Sequence, residues 1–447
     1  MADRSRIALL GAVIAVLVAL AGMTYVWLSA PRLEGGATPA NETVTLAAVR
    51  TGLPFPIALA FATDGRVFYA EKASGRIQIL GTATRNATTF YTLTGTESAD
   101  ERGLLGLALD PNFPASPYVY AYQTFNDGPN GIVNRIVRIL ADGNRGVSHT
   151  EIFRTPPLSA ATNHNGGVIA FGPDGKLFAL VGENAWPPFA QDPTSPMGKV
   201  LRMNSDGSAP PDNPFVNNSS WNPLVYTYGH RNMFGIAFRP TTGQAYITEN
   251  GPEDSDEINR LVPGGNYGWD AVRGIANNPS YIDPIRVYVK VIVPTNAAFY
   301  TASVPAAARN RLVFGTYLTN ELRALALDAD GSHVVDETVL ATATAPIIDV
   351  EMGLDGYLWI TTPSAIYRLV PTATASPPAL AFVLGIAATA LPNSWAANAW
   401  VRARPPPEDR ATDHPGSLSR DRDVPAVRCR RTGSRATTGS SNRSGGS

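Results

Sequence analysis

The chain has 447 residues, one cysteine and a formal net charge of −1 at pH 7. A nearly neutral protein lacks the positive field that attracts nucleic acid, so we expect no nucleic-acid partner. The single cysteine, Cys429, excludes an intramolecular disulfide and argues against a cysteine-based metal site or nucleophile. The length allows two or three average domains, or one large domain built from repeats.

Residues 1–30 contain an almost uninterrupted apolar run, residues 7–28, which is long enough to cross a bilayer. Arg4 and Arg6 precede this run, so the positive-inside rule places the N-terminus in the cytoplasm. We therefore expect a transmembrane helix as a membrane anchor, with an extracytoplasmic body in the periplasm or at the cell surface. A cleaved signal peptide is the alternative, because the small residues after Leu28 resemble a cleavage site, but the run is longer than a usual signal-peptide core.

Residues 31–43 are rich in Pro, Gly, Ala and Thr and predict a linker. Residues 44–371 then repeat one pattern six times, at about 55 residues per unit. Each unit has an apolar strand, a turn rich in Gly, Asp or Pro, a second strand and a short alternating strand. The units begin with IALAFATDGRVFYAE, LLGLALDPNFPASPYVYAYQ, VIAFGPDGKLFALVGE, FGIAFRPTTGQAYITEN, RLVFGTY and VEMGLDGYLWITT.

The turns of these units identify the architecture. Asp-Gly or Thr-Gly between two strands is a strong hairpin signal, and short strands with a period near 50 residues indicate a β-propeller. The sequence therefore predicts an all-β, six-bladed β-propeller with four-stranded blades, preceded by the transmembrane helix. A large β-sandwich, or several, is the alternative, and six matching hairpins argue against it.

The C-terminal part has a different composition. Residues 372–378, of Thr, Ala, Ser and Pro, predict a second linker, and residues 379–401 are an interrupted apolar stretch that we interpret as a truncated hydrophobic segment. Residues 402–447 are rich in Arg, Pro, Ser and Gly and predict disorder. A frameshifted reading of GC-rich coding sequence and an Arg-rich nucleic-acid tail are the other interpretations, and interspersed acidic residues weaken the second.

In a propeller, the loops that lead into the innermost strands meet at one mouth of the central channel. Polar residues occupy four of these places: residues 100–103, 163–167, 229–232 and 345–349. We therefore expect polar side chains from separate blades to converge on one cavity.

Three polar features of the repeat region could support chemistry. His164 is the best candidate for a general base, because neutral imidazole accepts a proton near physiological pH, and an ordinary surface histidine is the alternative. His230 and Arg231 are adjacent and point in opposite directions on a strand, so Arg231 could face an anionic or carbonyl-bearing ligand or bridge two blades. The acidic residues 249–257 offer oxygen ligands for Ca²⁺, with a solvated turn as the alternative.

Several segments resemble the glucose/sorbosone dehydrogenase family, the soluble quinoprotein sugar dehydrogenases and their aldose dehydrogenase relatives. They are GLLGLALDPNF, HNGGVIAFGPDGKLF, MGKVLRMNSDGSAPPDNPF, YGHRNMFGIAF, ENGPEDSDEIN, GGNYGWD and VPTNAAFY, in order over residues 53–370. The resemblance implies a six-bladed propeller that binds pyrroloquinoline quinone (PQQ) and Ca²⁺ at its mouth.

The resemblance also implies roles for residues around the substrate and the cofactor. His164 matches the general base that takes the hydroxyl proton from the anomeric carbon of the sugar while a hydride passes to PQQ. Arg231 and Asn232 match residues that contact the quinone. Glu101 and Asn163 fall on the substrate side.

Two calcium sites are implied in the same way. The main-chain carbonyls of Gly251 and Pro252 match the ligands of the Ca²⁺ on the cofactor side. Asp256, Glu257 and Tyr267 match positions that some members associate with a second, structural Ca²⁺.

The chain departs from the family pattern at several places. Asn163 and Glu183 stand where close relatives often carry Asp, and Glu101 stands where a neutral amide is expected. Ile347 and Ile348 occupy the loop in which the family carries two Arg that grip the carboxylates of PQQ. The corresponding loop of the fifth unit lacks the expected Lys. Burying carboxylates without cationic partners costs several kcal/mol.

The leading hypothesis is a membrane-anchored PQQ- and Ca²⁺-dependent dehydrogenase of an aldose or a related hydroxylated substrate. Its electrons would pass to an external or membrane acceptor. The lost Arg pair favours the alternative, a non-catalytic extracytoplasmic propeller that binds a glycan or a protein partner. A lactonase- or hydrolase-like propeller with a central Ca²⁺ and a His base is a third possibility.

Overall fold

The computed structural model describes residues 44–81, 86–302 and 305–372, which form 24 strands in six antiparallel sheets of four. The prediction of an all-β propeller with six four-stranded blades is confirmed. Helical structure within the described part is confined to three short turns: Pro188–Gln191, which is α-helical, and Gly128–Asn130 and Ala306–Ala308, which are 3₁₀.

The strands are numbered in chain order, beginning with β1 (Val44–Thr51). Blade one consists of β2 (Pro56–Phe61), β3 (Val67–Glu71), β4 (Arg76–Leu80) and β5 (Ala87–Thr92). Blade two consists of β6 (Leu104–Leu109), β7 (Tyr118–Asn126), β8 (Ile132–Asp142) and β9 (Arg145–Arg154). Blade three consists of β10 (Gly166–Phe171), β11 (Leu177–Val181), β12 (Lys199–Met203) and β13 (Val225–Tyr228).

The second half of the ring repeats this order. Blade four consists of β14 (Met233–Phe238), β15 (Ala245–Glu249), β16 (Asp256–Arg260) and β17 (Arg286–Tyr288). Blade five consists of β18 (Pro294–Phe299), β19 (Leu312–Thr316), β20 (Glu321–Leu327) and β21 (Val334–Thr342). Blade six contains β22 (Asp349–Met352), β23 (Leu358–Thr362) and β24 (Ala365–Pro371).

The first strand closes the ring. Strand β1 pairs antiparallel with β24, from Val44 opposite Pro371 to Thr51 opposite Ala365. Blade six therefore combines strands from both ends of the propeller, in the order β1-β24-β23-β22. The repeat pattern alone does not reveal this pairing.

The fifth blade corrects one expectation from the repeat. The run RLVFGTY does not begin this blade but contains β19, its second strand, and the innermost strand is β18, with the sequence PTNAAF. The small residues of β18 suit its close approach to blade four. A Cβ added to Gly235 would lie 2.6 Å from the carbonyl oxygen of Thr295, so the two strands leave no room for side chains there.

Successive blades pack face to face, which buries both faces of their second strands. Every residue of β3, β11, β15, β19 and β23 is buried, so these strands read as apolar runs without alternation. T-shaped aromatic pairs join neighbouring blades: Phe61–Trp359 at 5.3 Å, Tyr120–Phe171 at 5.0 Å, Phe178–Phe238 at 5.2 Å and Tyr246–Phe299 at 5.6 Å. Each pair contributes about 0.5–1.5 kcal/mol beyond its buried area.

Two sets of loops surround the mouth. One set leads into the innermost strands and includes the loop with His164, before β10. The other connects the second strand of a blade to the third, and the antiparallel order brings it to the same end of the channel. Gly251 and Pro252 belong to this second set, between β15 and β16.

No helix among the described residues is long and apolar enough to cross a membrane. The predicted anchor and first linker (residues 1–30 and 31–43) lie outside the described residues. So do the second linker, beyond its first residue, the truncated hydrophobic segment and the tail (residues 372–378, 379–401 and 402–447). These assignments stay predictions.

Candidate active site

A cavity of about 680 Å³ lies at the mouth and extends along the innermost strands. All six blades line it, through residues that include Ile57, Leu107, Ile169, Phe234, Asn296 and Glu351. Three of the four predicted mouth loops also reach it, through Asp100, Glu101, Asn163, Gly166, Ile348 and Asp349. Polar groups from separate blades therefore converge on one cavity, as the repeat predicts.

His164 is paired with a buried carboxylate beside this cavity. Its Nδ1 lies 2.7 Å from Oε1 of Glu183, which is 1% exposed. The second oxygen of Glu183 accepts the main-chain N–H of Trp186 at 2.6 Å, so the carboxylate is held from both sides. A proton on Nδ1 satisfies the contact with Glu183 and leaves the Nε2 lone pair available as a base.

The backbone of His164 is constrained as well. Its φ of +56° lies in the left-handed region, which residues other than glycine adopt infrequently, and such strain is concentrated at functional sites. Its main-chain N–H donates to Oε2 of Glu101 at 2.7 Å, and its carbonyl accepts the N–H of Asn184 at 2.9 Å. Blade two and the β11–β12 loop together fix the position of the imidazole.

Asn232 connects the carboxylate of Glu101 to blade four. Its Nδ2 donates to Oε2 of Glu101 at 3.0 Å, and its Oδ1 accepts the main-chain N–H of Gly166 at 3.2 Å. Asn232 is 2% exposed. In the structure, therefore, Asn232 ties the loops around His164 together, and its predicted contact with a cofactor stays a prediction.

His230 and Arg231 lie just before β14 and not on a strand, and their surroundings differ. His230 is fully buried, with Nδ1 2.8 Å from Oε2 of Glu249 and Nε2 2.9 Å from Oγ1 of Thr227. Arg231 is partly buried, which lowers the pKa of its guanidinium. Its Nη1 donates to the carbonyls of Asn250 at 2.9 Å and Gly251 at 2.8 Å.

Arg231 lines a second, much smaller cavity of about 10 Å³ in blade four, which has room for one water molecule. Gly251, Pro252, Glu257 and Tyr267 also line it. The residues of the two predicted calcium sites thus lie together, but the carbonyl of Gly251 already accepts from Arg231. Within the described part, no three His, Cys, Asp or Glu side chains are grouped to hold a metal ion.

The predicted calcium carboxylates have protein partners. Both oxygens of Asp256 accept main-chain N–H groups, from Gly251 at 3.0 Å and from Ile292 and Val293 at 2.7 Å. Burial raises the pKa of Asp256, and burial together with the charge of Glu249 raises the pKa of Glu257 to about 8.

Tyr267, the last residue of the predicted second calcium site, stacks on His230 with 4.4 Å between ring centroids. Its hydroxyl donates to the carbonyl of Arg260 at 2.6 Å. Burial raises the pKa of this hydroxyl, so the phenol stays neutral. The structure therefore gives Tyr267 partners within blade four.

Sequence reasoning placed Asp349 at the mouth but missed its pairing with Glu351, which also lines the cavity. Nδ2 of Asn296 donates to Oδ1 of Asp349 at 2.6 Å and to Oε1 of Glu351 at 3.1 Å. Oδ2 of Asp349 accepts the N–H of Leu59 at 2.6 Å. Burial raises the pKa of Asp349 to about 6, and burial and the Asp349 charge raise the pKa of Glu351 well above its usual value.

It also missed residues on the loops between second and third strands. Lys72 and Tyr317 line the cavity from blades one and five. Burial lowers the pKa of Lys72, whose Nζ donates to the carbonyl of Ser98 at 3.3 Å. The available signal was their position directly after a second strand, which is the position of Asn250 in blade four.

Ile347 and Ile348, which occupy the loop where the resemblance implies two Arg, lie in different surroundings. Ile347 is fully buried in the core that blades five and six share. Ile348 lines the cavity beside Asp349. This wall of the cavity therefore presents an apolar side chain and carboxyl groups.

The comparisons with known proteins agree with this fold. The family model described as glucose/sorbosone dehydrogenase matches residues 53–370. The aldose sugar dehydrogenase YliI of Escherichia coli K12 is 28% identical over 338 residues, which cover 72% of this chain and 91% of that protein. Quinoprotein glucose dehydrogenase B of Acinetobacter calcoaceticus is 30% identical over 305 residues, 62% of each chain.

A solved structure gives the same result. The PQQ-bound aldose sugar dehydrogenase of Streptomyces coelicolor superposes with a TM-score of 0.64 at 30% identity, over 74% of this chain and 99% of that one. The match of the family model spans most of the propeller and includes both His164 and Arg231. The chain belongs to the glucose/sorbosone dehydrogenase family.

Proposed function

We propose that the protein oxidises an aldose or a related hydroxylated sugar at the mouth of the propeller, with His164 as the general base. The 2.7 Å contact between His164 and Glu183 beside the cavity is the observation that carries this proposal. Family membership supports oxidation of a sugar, because relatives carry the names aldose sugar dehydrogenase and quinoprotein glucose dehydrogenase.

The proposed cofactor is PQQ, as in the similar Streptomyces coelicolor structure. The cavity has the volume of a typical small-molecule site, and its apolar wall at Ile348 suits an aromatic ring system. Lys72 lines this cavity and Arg231 lines the smaller cavity in blade four, so these two cations are the proposed partners of an anionic group of the cofactor. The carbonyls of Gly251 and Pro252 are the proposed ligands of Ca²⁺. When bound, PQQ supplies the acceptor for the hydride.

The residues of the chain handle the proton. Nε2 of His164 takes the proton from the sugar hydroxyl as the hydride leaves the carbon, which converts an anomeric C–OH to a lactone carbonyl. Glu183 stabilises the resulting imidazolium through Nδ1–H and holds the ring in one orientation. Glu101 holds the main chain of His164 and so keeps Nε2 in place.

Dye-reduction and calorimetric measurements on the full chain test this proposal. With Ca²⁺ and PQQ present, we expect aldose-dependent dye reduction and PQQ binding at micromolar concentrations. The His164→Ala variant should lose turnover by a factor on the order of 10²–10⁴ while PQQ affinity stays close to that of the parent protein. His333→Ala, at an exposed histidine on the β20–β21 turn, is the matched control. Unchanged turnover in His164→Ala would remove this residue from the role of base.

A second candidate function follows from the wall at Ile348, Asp349 and Glu351, which carries no cation. A non-catalytic propeller that binds a glycan or a protein partner would not need to hold the carboxylates of PQQ. The same calorimetric titration separates the two functions. Absence of PQQ binding at micromolar concentrations would favour the binding function and contradict the dehydrogenase.

We further propose that residues 7–28 anchor the protein in a membrane, with the propeller on the extracytoplasmic side. The length of the apolar run and the arginines before it support this arrangement. Electrons would then pass to a membrane or external acceptor. Fractionation of cells that express the full chain should recover it in the membrane pellet, accessible to protease from outside. Recovery in the soluble cytoplasmic fraction would contradict the proposal.

A further inference from the structure

Exposed aromatic side chains are concentrated at the mouth. Among the described residues, the large hydrophobic side chains that stay exposed include two aromatic ones, Trp186 at 56% and Tyr317 at 42% exposure. Both stand on loops between the second and third strands of their blades, Trp186 in blade three and Tyr317 in blade five. Blade four, which carries Arg231, lies between them. Isolated exposed hydrophobic residues need no explanation, but this placement does.

The loop that presents Trp186 is rigidly built. Asn184 and Ala185 both have positive φ, +55° and +53°, which is costly for residues other than glycine. Oδ1 of Asn184 accepts the N–H of Ser159 at 2.7 Å, and the N–H of Trp186 donates to Glu183 at 2.6 Å. The chain thus maintains a strained turn that leaves an indole in solvent, directly after the carboxylate that orients His164.

Main-chain hydrogen bonds hold the loop that carries Tyr317. Its N–H donates to the carbonyl of Val293 at 2.9 Å, and the N–H of Leu318 donates to the carbonyl of Ile292 at 3.1 Å. The N–H groups of Ile292 and Val293 in turn donate to Asp256 at 2.7 Å. Tyr317 lines the cavity and is also 42% exposed, so it lies between the interior of the mouth and the outer surface.

We propose that Trp186 and Tyr317 are stacking subsites for the outer rings of a carbohydrate, so that the substrate is an oligosaccharide whose terminal ring enters the cavity. The apolar C–H face of a pyranose covers an aromatic ring, while its hydroxyls remain in water or reach polar groups at the mouth. A monosaccharide inside the cavity would leave Trp186 uncovered. This inference rests on the proposed sugar dehydrogenase function and adds the size class of its substrate.

Calorimetric titration of the full chain with sugars of increasing length tests the inference without requiring turnover. Glucose is compared with maltotriose and cellotriose, which are α- and β-linked probes. We expect at least one trisaccharide to bind more tightly than glucose. Trp186→Ala should weaken trisaccharide binding by roughly five- to tenfold, the loss of one stacking contact, and Trp186→Phe should restore most of it. Leu354→Ala, at an exposed residue on the β22–β23 turn, is the matched control.

Steady-state kinetics give a second measurement. The ratio of kcat/KM for the better trisaccharide to kcat/KM for glucose should fall in Trp186→Ala and in Tyr317→Ala, and stay constant in Leu354→Ala. Equal affinity for glucose and both trisaccharides, or the same ratio in Trp186→Ala and Leu354→Ala, would overturn the inference. Oxidation of glucose with no advantage for longer sugars would overturn it and leave the dehydrogenase intact. Trisaccharide binding that depends on Trp186, with no sugar oxidised, would support the subsites and contradict the dehydrogenase.

Discussion

Glu101 and His164 are joined across blades two and three, because Oε2 of the carboxylate accepts the main-chain N–H of the histidine at 2.7 Å. The same oxygen accepts Nδ2 of Asn232. We predict that Glu101→Ala lowers kcat/KM by roughly 10–100-fold, because the loop with His164 loses the anchor that sets the position of its imidazole. Kinetics of the purified variant with its preferred sugar measure the effect.

Glu101→Gln is the control for this prediction. The glutamine keeps an amide oxygen that can accept the His164 N–H, so its loss of kcat/KM should be several-fold smaller than that of the alanine variant. If the two substitutions cost the same activity, the charge of Glu101 and not its anchoring bond would be the important property.

Glu183 sets the tautomer of His164. In Glu183→Gln, the amide N–H of glutamine pairs with Nδ1 and moves the ring proton to Nε2, where a base is needed. We predict that kcat falls by a factor on the order of 10²–10⁴, with a melting temperature close to that of the parent chain. Stopped-flow dye reduction and thermal unfolding measure the two quantities. An active Glu183→Gln variant would show that another group removes the proton.

The buried carboxyl of Asp349 makes stability depend on pH. Its pKa is about 6 in the folded protein and near the ordinary 3.8 in the unfolded chain. Between these values the folded chain holds a proton that the unfolded chain has lost, so this contribution to stability is greatest below 3.8 and is lost as pH rises through about 6. Asp349→Asn cannot titrate, so its melting temperature should fall less over this interval.

Thermal unfolding between pH 4 and 7 tests the Asp349 prediction, with the difference between variant and parent chain as the measured quantity. Asp142→Asn, at a side chain that is 76% exposed, controls for the loss of one negative charge. Equal slopes for the Asp349 variant and the parent chain would contradict the raised pKa.

Asp256 connects the loop after β15 to the segment that leads into blade five. Asp256→Ala leaves three main-chain N–H groups without their acceptor, those of Gly251, Ile292 and Val293. We predict a loss of about 3–4 kcal/mol in the free energy of unfolding. The loss should be equal in Ca²⁺ and in a chelator, as measured by denaturant titration. A loss confined to Ca²⁺ would instead identify the carboxylate as a metal ligand.

Much of the fold could be predicted because four of the six blades carry a local hairpin signal, and the other two follow from the period. An Asp-Gly or Thr-Gly turn between two apolar strands is visible within about 15 residues of sequence. Strand β18 was not predicted from the repeat, because its small residues reflect close contact with blade four and do not form a run of large apolar side chains. The pairing of Val44 with Pro371 was not predicted, because it joins segments from the two ends of the propeller sequence.

The repeat also allowed part of the candidate site to be predicted. His164 precedes an innermost strand, and the repeat places such residues at the mouth. The contacts of His164 could not be predicted, because they depend on how loops distant in sequence meet at the mouth. Glu101 accepts the main-chain N–H of His164 from the loop before blade two. Glu183 contacts the imidazole from the β11–β12 loop of blade three. The loops that carry Lys72, Trp186 and Tyr317 needed the antiparallel strand order before their place at the mouth became evident.

The pairing of β1 with β24 has a consequence for engineering. Val44 and Pro371 are neighbours on adjacent strands, and the strand directions put both at the end of the channel away from the mouth. A short peptide could join them and allow new termini at an exposed turn such as the one around Gly143. Any fusion partner attached at either natural end of the propeller would leave the sugar-facing surface unobstructed, so the domain could be tethered to an electrode or a bead with its mouth outward.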